Sequence, residues 1–264
     1  MDDIAVALDP NTVSYPRWRL ALHWIRELLP PNAKILDVGC FTGEFVRCLA
    51  QEGYFAFGID LNQAAIGRAY GIPVDRAFFF WYKGERFPFE NQTFDGVALM
   101  DVLEHVARED AIVNEVRRVL KKGGIVICSV PNQGRYAWMD PDNLKFSFPQ
   151  THKLFYTVLG QRQIYSRKYQ KDSLLFGNFA RAGSQRHRHY SLAQLESLWG
   201  ANFSTLRVHR GGGLGFLIGY LGNKICFRIC RRRLRAFSKM LAKSFLRDDG
   251  DDAYNLQVLM RKIS

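Results

Sequence analysis

Acidic side chains are almost missing from residues 145–247, which hold only Asp172 and Glu196 against 20 Lys and Arg. The first 144 residues show no such bias, with 15 basic and 19 acidic side chains. The formal net charge of +12 is therefore the property of one block. That block points to an acidic partner, nucleic acid or an anionic membrane surface, with a solvated basic face as the plain alternative. Cysteine is scarce as well. Cys40, Cys48, Cys128, Cys226 and Cys230 are odd in number and irregular in spacing, which excludes a zinc site built on paired CxxC motifs and favours reduced thiols. Cys226 and Cys230 would share a helix face, but two ligands are too few, so no metal is expected. No apolar run approaches the roughly 20 residues that span a bilayer. The opening MDDIAVALDP lacks the basic segment and apolar stretch of a secretory signal, so the expected location is the cytoplasm, with attachment to the inner face of a membrane as an extension.

What is present describes a folded chain: 47% of residues are apolar and 23% charged over 264 residues, enough for one elaborated α/β domain. Apolar spacing predicts a leading helix over 16–29, a strand at 34–38, a helix at 43–51 and a strand at 54–59. A helix at 63–70, strands at 78–82 and 96–100, a helix at 111–120 closed by Lys121-Lys122-Gly123-Gly124, and a strand at 125–130 follow. Strands alternating with helices of this length predict a doubly wound, mostly parallel sheet with helices on both faces and a ligand at the carboxyl ends of the strands. Residues 16–132 read as a binding core and the irregular, aromatic-rich 133–190 as a lid or a decorative insertion. Residues 191–264 read as a helix capped by Ser191 and Gln194, followed by strands at 203–209 and 255–260.

The segment ILDVGCFTGEF, residues 35–45, is strand, tight turn and helix start. Gly39 would allow the sharp turn and Gly43 a close approach of the helix N-terminus to a ligand. Alone, the pattern also fits a dinucleotide site or a simple βα turn. Three further segments follow in order: FGIDLN with Asp60, RFPFENQTFDGVALMDVLEHV over 86–106, and EVRRVLKKGGIVICSVPN over 115–132. Together they resemble the class I S-adenosylmethionine-dependent methyltransferases over about 120 residues, with GCFTG as a variant of that family's glycine motif. The resemblance implies a Rossmann-like sheet of seven strands and S-adenosylmethionine as cofactor. It implies that Asp37 anchors the methionine ammonium, that Gly39, Cys40 and Gly43 form the turn beneath the ligand, and that Asp60 accepts from the ribose hydroxyls. It further implies that Leu61 contacts the base and that Met100 and Asp101 lie over the methionine moiety. One departure stands out: where the family has an acid for the adenine amino group, this chain has Lys83. Backbone around Gly84, or Asp75 or Glu85, would then read the base, with Trp81 or Tyr82 as an aromatic wall.

A sulfonium leaving group needs alignment of the acceptor and, for a hydroxyl acceptor, removal of a proton. His105 in LEHV and His189 in QRHRHYSLAQL are the candidate bases, ahead of His187, His152 and Tyr136; each histidine also reads as a capping or packing residue. No NPPY-like tetrad follows the fourth strand, which argues against amino methylation of adenine or glutamine. Residues 214–247 carry nine basic residues and no acid, with Leu214, Leu217, Ile218, Leu221, Ile225, Ile229, Leu234, Phe237, Leu241 and Phe245 near helical spacing. They predict a cationic amphipathic helix, lying on an anionic membrane or capping the domain's own core. The expected reaction is O-methylation of a small-molecule, lipid or lipid-linked glycan acceptor. RNA methylation through the basic half, with Tyr136, Trp138, Phe146, Phe148, Phe155 and Tyr156 as stacking platforms, and a non-catalytic binding protein are the alternatives.

Overall fold

A computed structural model describes residues 15–83, 86–140, 143, 147–158, 162–166, 188–230 and 235–263. The leading helix α1 (Tyr15–Leu28) buries Ala21, Leu22, Trp24 and Ile25 along one side. Seven strands follow: β1 (Lys34–Val38), β2 (Phe55–Asp60), β3 (Ala77–Trp81), β4 (Phe94–Met100), β5 (Leu120–Pro131), β6 (Phe203–Gly211) and β7 (Asn255–Lys262). They form one sheet in the order β3-β2-β1-β4-β5-β7-β6, with β7 antiparallel to both neighbours and every other pair parallel. The chain therefore leaves β1 in one direction along the sheet and returns on its other side at β4. That reversal opens a crevice above the carboxyl ends of β1 and β4.

Alternate residues of the central strands feed two apolar layers. Leu36, Val38, Val97, Leu99, Val126 and Cys128 pack with residues of α4 (Glu109–Val119) and α7 (Leu192–Trp199), including the fully buried Trp199. Ile35, Ala98, Ile125 and Ile127 pack on the other face with α1, α2 (Glu44–Gln51) and α3 (Gln63–Tyr70). The Rossmann-like fold class is thus the one read from the sequence. The predicted cap of α7 is also seen: Ser191 Oγ accepts from Gln194 N and the Gln194 side chain accepts from Ser191 N. In the segment expected as a lid, helices α5 (Pro149–Val158) and α6 (Arg162–Ser166) are described.

Two expectations are corrected. Lys121-Lys122-Gly123-Gly124 does not close α4, which ends at Val119. These residues belong to β5, where they bulge between the pairs Phe94–Leu120 and Gly96–Ile125, with Gly123 at φ +77°. The basic insertion is not one helix with one apolar side. It is a pair, α8 (Leu214–Cys230) and α9 (Arg235–Leu246), with the start of α8 against the end of α9. The reason is that its apolar residues divide between two faces: Phe216, Leu217, Leu241 and Phe245 pack on Leu20, Tyr136 and Tyr254, whereas Leu214, Ile218 and Ile225 remain exposed.

Candidate functional site

The turn after β1 is held from below by the neighbouring strand, since Gly39 N and Cys40 N both donate to Ile59 O. Gly39 (φ +76°) and Gly43 (φ +79°) adopt the left-handed conformation that favours glycine. A Cβ on Gly39 would meet Val102 Cγ2 at 2.7 Å. The space beside Gly43 is taken by the Phe79 ring, 2.2 Å from a built Cβ, so this glycine makes room for a β3 side chain as well as for the turn. The Cys40 thiol faces the core against Gly58, and burial raises its pKa well above the ordinary value.

Asp60, at the end of β2, is buried and clamped. One carboxylate oxygen accepts from Phe41 N and the other from Asn62 N, each at 2.8 Å. Asn62 then caps α3 by accepting from Ala65 N, so Asp60, the glycine turn and the next helix are tied together by hydrogen bonds. Burial raises the Asp60 pKa, opposed by these amide donors. Asp37, on β1 beside it, is 3% exposed, and its carboxylate makes no hydrogen bond or ion pair among the described residues. Burial, then the charges of Asp60 and Glu44, push its pKa well up. A buried carboxylate without a partner, flanked by two more acids, is costly to ionise unless a cation comes to it.

Across the crevice, Asp101 follows β4 at φ +58° and is fixed on three sides. Its amide donates to Ser129 O, Ser129 Oγ donates to its carboxylate at 2.9 Å, and Arg17 pairs with it at 2.5 Å. Arg17 is itself buried; it donates to Asn255 Oδ1 at 2.8 Å, while its Nε and Asn255 Nδ2 have no partner among the described residues. Met100 pairs with Ser129 and packs on the layer that includes α1. At the other end, Leu61 O accepts from the Trp81 indole at 3.0 Å, which stands that half-exposed ring against the residue after Asp60. Tyr82 N donates to Asp60 O, and its hydroxyl pKa is raised by burial, then by Asp60. Lys83 and Asp75 are exposed, and Gly84 and Glu85 lie outside the described residues.

The two histidines have different settings. His105 is half-buried on the 3-10 turn Leu103–His105 just past β4. His189 places Nε2 3.4 Å from Asp140 Oδ2, with the carboxylate fully buried and also approached by Asn143 Nδ2. The His189 ring is edge-on to Tyr254 at 6.5 Å, and its buried Nε2 has no hydrogen-bond partner among the described residues. The segment is pinned there by Tyr190 N donating to Pro131 O and by Arg188 pairing with Glu109. His189, Tyr254, Asn255, Arg17 and Asp101 thus form a connected layer over the carboxyl ends of β4 and β5. Tyr136 packs beneath this layer against the α8–α9 cluster; His187 lies outside the described residues, and α5 carries His152.

Sequence reasoning missed Arg17, Ser129 and Asp140. Arg17 carried a signal, because it falls on the buried side of α1 four residues before Ala21, where a charge needs a partner. Asp140 carried none, since it stands 49 positions before His189, with no motif linking the two.

Residues 15–202 match the sequence profile of a family described as "Methyltransferase domain". The ubiquinone biosynthesis O-methyltransferase of Pseudomonas aeruginosa is 31% identical over 128 residues, covering 46% of this chain and 54% of that protein. The sterol 24-C-methyltransferase of Schizosaccharomyces pombe is 29% identical over 136 residues, covering 49% of this chain and 34% of that one. The chain thus spans between a third and just over half of these relatives' lengths. A putative sarcosine dimethylglycine methyltransferase from Galdieria sulphuraria has the same fold, with a TM-score of 0.59 at 13% identity over 96% of this chain and 86% of that one. The profile match extends through the glycine turn, both acids and the fourth- and fifth-strand ends, and on that ground the chain belongs to the methyltransferase-domain family, Rossmann-like class I enzymes whose cofactor is S-adenosylmethionine.

Proposed function

We propose that this chain methylates an oxygen of a small, apolar acceptor, a lipid or a lipid-linked molecule, using S-adenosylmethionine. The observation that carries the reading is the pair of acids at adjoining strand ends. Asp60 has both oxygens aligned by backbone amides, and buried Asp37 has no partner among the described residues. Each Asp60 oxygen keeps a lone pair for a ribose hydroxyl, while Asp37 suits an ammonium group. Arg17, with Nε unpaired, suits a carboxylate, and Trp81 beside Leu61 suits a flat base. The cofactor, when bound, supplies an electrophilic methyl on a positively charged sulfur.

His189 is the proposed general base. Asp140 lies on its Nε2 side at 3.4 Å without a hydrogen bond, which leaves Nδ1 to take the acceptor hydroxyl's proton and puts a buried carboxylate beside the imidazolium that results. His105, beside β4, is the second candidate. The oxygen acceptor is supported by the relative named as a ubiquinone biosynthesis O-methyltransferase, while the sterol 24-C-methyltransferase, which by name methylates carbon, supports only the apolar character of the acceptor.

Calorimetric titration with S-adenosylmethionine and its demethylated product tests the cofactor half. The expected outcome is binding to the wild type and at least about 100-fold weaker binding to Asp60→Ala, which loses two charge-assisted hydrogen bonds. No binding to the folded wild type would overturn the reading. With an acceptor found by label transfer into phenolic and lipid substrates, His189→Gln should lower kcat by about 100-fold or more with cofactor affinity unchanged.

A further inference from the structure

We propose that the outer face of the α8–α9 hairpin docks on an anionic lipid bilayer, lying in the headgroup interface without crossing it. The hairpin is complete without that face. Gly215, Gly219 and Gly222 line the side of α8 that meets α9, where a Cβ at 219 would stand 2.8 Å from Phe237 O and 3.0 Å from Leu241 N. Asn223 Nδ2 donates to Ser238 Oγ across the buried seam. Phe216, Leu217, Leu241 and Phe245 fasten the pair to the body of the protein. Both internal requirements, helix to helix and hairpin to domain, are met by these residues.

Leu214, Ile218 and Ile225 serve neither. Their spacing of four and seven puts them on one side of α8, about a quarter turn from the glycine seam and away from the core. They are 50%, 47% and 45% exposed, and Met240 of α9, packed near Gly215, is 39% exposed. Beside them α9 exposes Lys239 and Lys243, with Arg247 exposed just past its end; residues 214–247 contain no acid, and the first, Asp248 and Asp249, follow at the base of the hairpin, where Asp249 accepts from Gly213 N. An apolar stripe bordered by cations matches the layered chemistry of an anionic bilayer surface, acyl chains below and phosphates above. Among the described residues no helix is long and apolar enough to cross a membrane, which fits lying on the surface.

Position gives this surface a use. The hairpin joins β6 to β7 at the carboxyl end of β5, where Asn255 pairs with Pro131, and its core cluster contacts Tyr254 and Tyr136. Docking therefore brings the His189 and Arg17 layer to the lipid surface, where an apolar acceptor reaches it without entering water. The docking surface stands independently of which acceptor is methylated.

The test is sedimentation of the full chain with phosphatidylcholine–phosphatidylglycerol vesicles and with phosphatidylcholine alone. The wild type should sediment with the mixed vesicles only. Leu214→Ser/Ile218→Ser/Ile225→Ser and Lys239→Glu/Lys243→Glu/Arg247→Glu should each lose partitioning on the order of 100-fold. Calorimetry with S-adenosylmethionine should be unchanged in both, which shows that the body is folded and separates this question from the cofactor reading. An Ile218→Trp variant should be quenched by brominated lipid. Wild type left in the supernatant, variants that sediment like the wild type, or displacement of the protein from vesicles onto generic RNA would each overturn the proposal.

Discussion

The glycines of the first turn and those of the α8–α9 hairpin do opposite work. Gly39 and Gly43 sit at positive φ, so their conformation itself favours a residue without Cβ. Gly215, Gly219 and Gly222 lie in a helix, where any residue fits the backbone, and serve only because α9 comes so close. The turn is thus specified by local geometry, and its pattern can be read from one segment. The hairpin is specified by a partner about 20 residues away, and a glycine stripe in a sequence does not say whether it meets another helix, a lipid or water.

Substitution separates the two roles. Gly39→Ala should be the more damaging, costing about 1–3 kcal/mol in backbone strain, with overlap against Val102 in addition. Since the turn orients Phe41 N toward Asp60, cofactor affinity should fall together with stability. Adding Val102→Ala should recover only the steric part. Gly219→Ala should cost less, because the overlap with α9, about 1–3 kcal/mol, is offset by up to about 1 kcal/mol of improved helix propensity. Its effect should fall on vesicle sedimentation and leave the cofactor titration alone. Denaturant melts and calorimetry on both variants check the contrast. Equal loss of cofactor affinity in the two would mean that turn and hairpin are one mechanical unit.

The same distinction explains what was legible. Strands β1, β2, β4 and β5, the cap of α7 and the acids Asp37 and Asp60 follow from local period and from motifs a few residues long. The bulge at Lys121–Gly124 was misread because a Gly pair after a helix has the composition of a cap, and only pairing with β4 reveals the extra residues. The Asp140–His189 and Arg17–Asp101 pairs are products of tertiary structure, joining residues 49 and 84 positions apart. The exposed stripe of α8 was hidden for a further reason. Helical period marks a residue as apolar, and by itself does not divide Leu217, which faces the core, from Ile218, which does not.

The smallest expected effect is on stability, and it distinguishes a ligand site from a structural acid. Asp37 is buried with a raised pKa, so the folded state holds its proton at pH values where the unfolded chain, near the ordinary value of about 3.9, has released it. Its contribution to stability is therefore present in acid and is lost as pH rises through the folded pKa. Asp37→Asn removes that penalty. The cofactor-free variant should melt above the wild type at alkaline pH, by about 2–4 °C per kcal/mol relieved, and the gap should close as pH is lowered. The same variant should gain less Tm than the wild type from added S-adenosylmethionine, because the amide offers an ammonium group no charge. A clamped acid such as Asp60 predicts a different pattern, since its removal also strands the amides of Phe41 and Asn62. If Asp37→Asn lowered the Tm of the cofactor-free protein at every pH, the carboxylate would be holding the fold together, and the assignment of Asp37 as a cation receptor would fail.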